Sequence, residues 1–337
     1  MTHRFPIKEI ARQAGLGTAT VDRVLNNRPN VSPQTRKRVE MAVQELTAQE
    51  AQLAARGRRV FIDVLAEAPT RFSREIRLAA ETALRSFPTA AIRVRFQFHE
   101  VMSEAETLSA LSRLKKRGSD GICLKLRDTP AIRDMIETLA NANIPVFTLV
   151  TDLPGSVRKG YFGLDNAKAG RIAAYLITQS LHKQPATILT SRSQDSFRGE
   201  SERFVAFRDQ ITTLRPQTRF INASGGAGMT AATGKALDAL LSDCREVTAV
   251  YSMGGGNSTI LRKLAEHRLQ PTVYVAHDLD RENRYLLAQG TINYVLTHDL
   301  SQDLLHLFSM ACDPMYAEIS GEAKGSSAIN IITPYNL

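Results

Sequence analysis

The 337-residue sequence lacks several features that would place it in a narrow class. No stretch approaches the roughly 18 consecutive apolar residues of a membrane-spanning helix. The opening MTHRFPIKEIARQ has no apolar core of the signal-peptide kind, so the chain is expected in the cytoplasm and away from membranes. Cysteine is scarce. Cys123, Cys244 and Cys312 are odd in number, far apart and without metal-type spacing, which excludes a disulfide framework and leaves ordinary buried thiols. Catalytic signatures are missing as well: there is no HExxH pair and no GxSxG elbow. GMTAATGK at 228–235 has five residues between its glycines and an alanine after the lysine, which breaks the phosphate-loop pattern, and GGGN at 254–257 is not GxGxxG. No catalytic residue, metal or cofactor is expected.

What is present is a globular composition, 43% hydrophobic and 23% charged, long enough for two or three folding units. Positive charge is unevenly placed. Residues 1–60 hold eleven Lys or Arg against five Asp or Glu, whereas the remaining 277 hold 32 against 29, so two thirds of the formal +9 sits in the first sixth of the chain. Such a concentration fits either a solubilising surface or a nucleic-acid footprint, and position has to decide.

Three short helices read out of this basic segment. Pro6 is suited to open the first, Ile7, Ile10, Ala11 and Ala14 follow at helical spacing, and Gly15 stops it. Gly17 or Thr18 starts a second helix with Val21, Val24 and Leu25 as its apolar stripe. Ser32-Pro33 opens a third, whose Val39, Ala42, Val43 and Leu46 complete a small core. With that stripe inward, the 3.6-residue period turns Thr18, Ala19, Asp22, Arg23 and Asn26 outward. A face that is small, polar and cationic is what a recognition helix needs to reach base edges in the major groove. Arg23 suits the bidentate contact to guanine, Thr18 a thymine methyl or a phosphate, and Asn26 backbone oxygens. Asp22 is the exception. It cannot donate to phosphate, which leaves it to accept from a cytosine amino group or to repel the backbone and suppress non-specific binding.

The collinear run IKEIARQAG, ATVDRVLN and VSPQTRKRV, from Ile7 through Leu46, resembles the DNA-binding headpiece of the LacI family of bacterial transcription regulators. The resemblance implies a fold: a small all-α helix-turn-helix headpiece (1–48), a hinge or linker (49–59) and a two-lobed α/β periplasmic-binding-protein-like domain with parallel sheets (60–337). It also implies that Thr18, Ala19 and Arg23 read bases, that Thr20 and Asn26 contact phosphates, and that Arg28 lies at the same interface. The implied partners are double-stranded operator DNA, a second copy of the chain and a small effector: a sugar, polyol or sugar acid. Two headpiece positions depart from the family, Gly17 and Asp22 standing where serines are usual. In the hinge, Leu53 and Ala54 match the apolar positions, and Arg56, Arg58 and Arg59 supply positive charge for the minor groove. Gly57, however, stands where a wedging leucine would unstack a base step.

From residue 59 onward strand-like and helix-like runs alternate, the pattern of parallel α/β layers. Nine strands are expected, at 59–68, 92–100, 121–126, 144–151, 186–191, 219–224, 249–254, 272–279 and 292–299, and for this length two sheets suit better than one. GLDNAKAGRIAAYL (163–176) and the closing IITPYNL (331–337) are the further points of family resemblance. Ligands of open α/β sheets bind beyond the carboxyl ends of strands. The polar and aromatic residues there are Phe72, Arg74, Lys125, Arg127, Asp152, Asp165, Asn166, Arg198, Asn257, Asp278, Asp280, His298 and Asp299. Carboxylates and amides opposite an arginine, with an aromatic platform, are how hydroxyl-rich ligands are held. Family analogy favours Phe72, Asp165, Arg198, Asn257 and Asp278. The combined expectation is a ligand-controlled transcription repressor. The alternative is a solute-binding protein or sugar-processing enzyme whose basic hairpin is incidental.

Overall fold

The computed structural model describes residues 4–29, 31–57, 59–87, 91–182, 185–193, 197–224, 226, 230–313 and 327–337, and for 48–57, 91, 230 and 231 the backbone alone. The chain divides into a first compact unit, residues 1–60 with 87–93, and a second that holds the rest.

The first unit is built on three helices: α1 (Ile7–Ala14), α2 (Thr18–Leu25) and α3 (Pro33–Gly57). Pro6 is the N-cap of α1 rather than its first residue, and Gly15 closes that helix with a left-handed φ of 61°. A β-carbon on Gly15 would stand 3.1 Å from Arg38 Nη2, which itself donates to the Ala14 carbonyl at 2.8 Å, so the α1–α2 turn has room for little else. Gly17, not Thr18, caps α2 and offers no side-chain acceptor. Ser32 Oγ accepts from the Thr35 amide at 3.1 Å to start α3. Ile10, Ala11, Ala14, Val21, Val24, Val39, Ala42 and Leu46 form the buried core, joined by Phe5, while Ile7, Leu25 and Val43 are only partly buried against it.

α3 runs unbroken through Gly57, so residues 49–57 of the segment assigned to the hinge continue the third helix. The reason lies in TAQEAQLAAR, where nearly every residue is a good helix former and neither proline nor glycine interrupts. Leu53, Ala54 and Arg56 therefore lie on helical backbone, and Arg58 lies outside the described residues.

The second unit contains two sheets. In the first lobe β1 (Arg59–Glu67), β2 (Ala91–His99), β3 (Gly121–Lys125), β4 (Val146–Leu149) and β5 (Gly160–Phe162) lie in the order β2-β1-β3-β4-β5. The second lobe holds β6 (Thr187–Ser191), β7 (Arg219–Ala223), β8 (Ala249–Ser252), β9 (Val273–His277), β10 (Tyr294–Thr297) and β11 (Asn330–Ile332), ordered β11-β10-β9-β8-β6-β7. The two-sheet expectation holds, and β1–β3, β3–β4, β4–β5, β6–β7, β6–β8, β8–β9 and β9–β10 all pair in parallel. β11, within the closing IITPYNL region, is an antiparallel edge on β10. Buried Ile, Val and Leu fill both sheets, as continuous burial by flanking helices requires.

The connecting helices among the described residues are α4 (Thr70–Leu84), α5 (Glu104–Arg117), α6 (Pro130–Ala140), α7 (Asn166–Ser180), α8 (Arg198–Leu214), α9 (Thr230–Leu241), α10 (Asn257–Glu266), α11 (Arg281–Ala288) and α12 (Leu300–Cys312). α12 follows β10 of the second sheet yet packs on α4 and β5 of the first, and the chain is back on the second sheet at β11. Three connections therefore join the lobes. They are fastened together: His298 Nδ1 stands 2.5 Å from Asp303 Oδ2, Ser327 Oγ hydrogen-bonds the other oxygen of Asp303, and the Ser327 amide donates to the Gly163 carbonyl at 2.9 Å.

Cys123 is buried, as expected of all three cysteines, but Cys244 and Cys312 are half-buried because they end at a turn and at the last residue of α12. Among the described residues no helix is long and apolar enough to cross a membrane, and no group of three His, Cys, Asp or Glu is placed to hold a metal ion.

Candidate functional site

On the first unit, α2 turns Val21 and Val24 into the core, leaving Thr18, Ala19, Arg23 and Asn26 exposed and Thr20 and Asp22 half-buried. Arg23 forms no ion pair among the described residues, so its guanidinium stands available on the outer face. Asp22 is engaged by its own neighbours. Its Oδ1 accepts from Asn26 Nδ2 at 2.8 Å and its Oδ2 stands 3.4 Å from Arg28 Nη1. Arg36 supports the following turn, donating to Asn27 Oδ1 at 3.2 Å and to the Arg28 carbonyl at 3.3 Å. The side chains of Leu53, Ala54 and Arg56 are not described.

In the second unit the carboxyl ends of both sheets face one cavity of about 50 Å³, lined by Arg71, Phe72 and Lys125 from the first lobe and by Phe197, Glu200, Arg203, His277, Asp278 and Asp280 from the second. Lys125 ends β3. Its ammonium donates to the Glu67 carbonyl at 2.9 Å and lies 4.1 Å from the Phe197 ring centre and 5.8 Å from that of Phe72. Burial pulls its pKa below the ordinary lysine value, opposed by the charges of Glu200, Asp278 and Glu67.

Arg203, buried on α8, donates from Nε to Asn166 Oδ1 at 2.7 Å and from Nη1 to the Met253 carbonyl at 3.1 Å. The GLDNAKAG element explains its setting. Asp165 caps α7 by accepting from the Lys168 amide at 2.8 Å, Asn166 takes the arginine, and Gly170 lets α8 approach, since a β-carbon there would fall 2.3 Å from the Arg203 carbonyl oxygen.

Arg71 reaches from α4 across the cavity: Nη2 donates to the Gly254 carbonyl at 3.1 Å and Nε lies 3.2 Å from Asp280 Oδ2. Gly255 accommodates it, because a β-carbon at that position would lie 1.9 Å from Nη2. Burial raises the Asp280 pKa, and the Asn283 amide and Arg71 only partly offset it.

A buried relay holds the last two lining residues. Tyr274 Oη donates to Asn257 Oδ1 at 2.8 Å, Asn257 Nδ2 donates to Asn283 Oδ1 at 2.6 Å, and Asn283 Nδ2 donates to the carbonyls of His277 at 2.9 Å and Asp278 at 2.8 Å. These bonds fix Asp278 at a left-handed φ of 65°, a conformation that costs a non-glycine residue about 1 kcal/mol or more. The strain turns a carboxylate into the cavity directly after β9.

Of the residues expected at the ligand, the cavity gathers Phe72, Lys125 and Asp278, together with Asp280. It does not gather the others. Arg74 is exposed beside a separate recess with Arg77 and Phe98. Asp152 is paired with Arg158 and accepts from Thr148 Oγ1 at 2.8 Å, contacts that hold its pKa low against the opposing effect of burial. Asp165 is a helix cap, and Arg198 is exposed, 2.8 Å from Glu202 Oε1 and 3.8 Å from Asp128 Oδ2. Asn257 acts at one remove, through Asn283, and Arg127 is bound to Glu67 at 2.9 Å. His298 and Asp299 line a second recess of about 470 Å³ whose wall shares Phe72, Asp278 and Asp280 with the cavity. Arg71, Phe197, Glu200, Arg203 and His277 also line the cavity and are not among the expected residues.

Comparison with known proteins places these features. Residues 6–47 match the model for bacterial regulatory proteins of the lacI family, and residues 64–312 match the periplasmic binding protein domain. The HTH-type transcriptional regulator TreR of Salmonella typhimurium is 34% identical over 128 residues, 37% of this chain and 39% of that protein. The sucrose operon repressor of Escherichia coli is 32% identical over 157 residues, 44% of this chain and 45% of its own. The chain thus spans less than half the length of these curated relatives. Among solved structures, a putative LacI transcriptional regulator from Bacteroides fragilis superposes with a TM-score of 0.71 at 13% identity, covering 83% of this chain and 98% of that one. GanP, a glucose-galactose binding protein from Geobacillus stearothermophilus, gives 0.71 at 17% identity over 83% and 99%. At these identities the likeness is one of fold.

Proposed function

The chain belongs to the periplasmic binding protein domain family over residues 64–312 and joins to it a lacI-family segment at residues 6–47, and from this premise we propose that it is a transcription regulator whose grip on operator DNA is set by a small hydroxyl-rich ligand. The observation that carries the reading is a cavity in which aromatic rings and paired charges from two lobes converge, in the same chain as a helix with an outward Arg23 that has no ion pair among the described residues. Curated relatives named as the HTH-type transcriptional regulator TreR and a sucrose operon repressor, and solved relatives named for glucose, galactose and myo-inositol, support a sugar or polyol as ligand.

Thr18, Ala19 and Arg23 are assigned to base edges, Thr20, Asn26 and Arg28 to the phosphate backbone, and Leu53, Ala54, Arg56 and Arg58 to the minor groove. The division into a headpiece (1–48), a hinge (49–59) and an effector-binding domain (60–337) belongs to the same proposal. So does a homodimer, since one headpiece offers few contacts and paired half-sites mirror a protein dyad. We assign the cavity a binding role, not a catalytic one, and place the chain in the cytoplasm with the DNA it reads.

At about 50 Å³ the cavity holds a few waters at roughly 10–15 Å³ each, not a sugar ring. Entry therefore requires the lobes to part or Arg71 to leave Asp280, and either motion gives the ligand a differential affinity for two states. Coupling of about 1–3 kcal/mol to the DNA site is the usual scale. The test is a thermal-shift screen of the full chain with sucrose, trehalose, D-glucose, D-galactose and myo-inositol, followed by selection of genomic fragments with and without the active compound. A ligand at a hundred times its Kd adds about 2.7 kcal/mol of stability. Absence of any shift, or DNA retention indifferent to sequence and ligand, overturns the reading.

A further inference from the structure

His277 is 1% exposed and lines the cavity, and its two ring nitrogens are in different situations. Nε2 lies 2.8 Å from Tyr251 Oη, a phenol held at full burial with its ring 4.5 Å from that of Phe207. Nδ1 is buried and has no hydrogen-bond partner among the described residues. Buried polar atoms in folded chains are almost always paired, so one that is not calls for an explanation.

The proton can be placed by counting. Burial, reinforced by the positive charge of Arg203, pushes the His277 pKa well below 6.5, so the ring is neutral and carries one proton. If Nε2 carried it, Tyr251 Oη would accept, leaving the phenol hydrogen without an acceptor and the Nδ1 lone pair without a donor. If Tyr251 donates to Nε2, the single group left over is Nδ1–H. The second arrangement leaves fewer buried groups unmet. Next in sequence comes Asp278, whose carboxylate also lines the cavity and has no hydrogen-bond or ion-pair partner among the described residues. An unmet donor and an unmet acceptor thus stand on consecutive residues, held there by the Asn283 bonds to both carbonyls.

We propose that His277 is a specificity-determining ligand contact: its Nδ1–H donates to a hydroxyl oxygen of the ligand while Asp278 accepts from a hydroxyl hydrogen, so that this end of the cavity selects an uncharged polyol or sugar. This rests on the sugar- or polyol-binding reading above and narrows it. A carboxylate placed here would meet Asp278 with like charge, and an ammonium would present no acceptor to His277. The carboxylate end of a sugar acid is therefore excluded from this subsite. The cost of rejecting the wrong group falls on His277, whose buried Nδ1–H would remain unpaired, whereas Asp278 is only half-buried.

Two measurements on the full chain decide the matter. In ligand-free protein labelled with ¹⁵N-histidine, the His277 signal, assigned by its loss in His277→Phe, is expected to be that of a neutral ring protonated at Nδ1 at pH 7, and protonation at Nε2 overturns the proposal. In calorimetry, whichever of sucrose, trehalose, D-glucose, D-galactose and myo-inositol binds the wild type most tightly should bind His277→Phe tenfold to a hundredfold more weakly. Equal affinity overturns the proposal. Tyr251→Phe/His277→Phe removes both polar partners and guards against a folding defect: it should melt no lower than wild type and show the same loss of affinity. If none of the five compounds binds wild type, the sugar reading fails, while the proton position still decides for or against the unmet donor.

Discussion

Asp22 Oδ1 accepts from Asn26 Nδ2 at 2.8 Å while Arg28 approaches its other oxygen at 3.4 Å, so one acidic side chain occupies two of the polar groups assigned to the DNA phosphates. Asp22 is thereby a restraint on its neighbours, whatever it does to the DNA directly. Releasing them should help any duplex, because phosphate contacts are indifferent to sequence. Asp22→Ser is expected to tighten binding to random DNA and to the operator by similar factors and to steepen the plot of log affinity against log salt by about one. Fluorescence anisotropy over a salt series checks this, and an unchanged affinity and salt slope on both duplexes counts against the restraint.

Arg23 tests the opposite property. Its guanidinium has no ion-pair partner among the described residues, so Arg23→Ala disturbs little in the free chain. Operator affinity should fall by about 1–3 kcal/mol with random-DNA affinity nearly unchanged, as loss of a bidentate base contact predicts. A uniform loss in a gel-shift comparison would make it a phosphate ligand instead.

The relay from Tyr274 through Asn257 and Asn283 gives a third expectation. Asn257→Ala strands two buried partners, the Tyr274 hydroxyl and the Asn283 carbonyl oxygen, at about 1–3 kcal/mol. Thermal melting should drop by several degrees, and ligand affinity with it, since Asp278 loses the support of its left-handed backbone. An Asn257→Ala chain that melts lower but binds ligand unchanged would confine the relay to stability.

Acid stability supplies a fourth. His277 is neutral in the fold, with its pKa well below 6.5, whereas the unfolded chain takes up a proton near 6.5. Its contribution is complete above pH 6.5 and is lost as pH falls below that value, by about 1.4 kcal/mol per unit. Urea denaturation from pH 7.5 to 5.5 should show a shallower decline in His277→Phe than in the wild type.

Much of this architecture was legible in the chain. The headpiece followed from Gly15, Ser32-Pro33 and the inward spacing of Val21 and Val24, because short helices declare themselves by caps and period. Nine strands were read from apolar runs, whereas β5 and β11, three residues each, are too short to show a period. The site was harder. Arg198 was chosen because it follows a strand, yet Arg203 enters the cavity. Five residues on a helix separate faces by about 140°, and Gly199, Arg203, Phe207 and Ile211 recur every four residues along the buried stripe of α8. That period was present in the sequence. The reach of Arg71 over Gly254 and Gly255 was not, since it depends on two lobes meeting.

Asp303 carries a consequence for how a signal leaves the cavity. It gathers His298 and Ser327 beside Gly163 at the place where all three connections cross between the lobes. A body bound to another at one fixed line retains a single way to move, as a cover turns on its spine. Ligand energy spent in the cavity is then not scattered among many small adjustments. On the proposed reading the parting of the lobes that admits a ligand is one rotation about this line, and that rotation is what a partner is expected to feel.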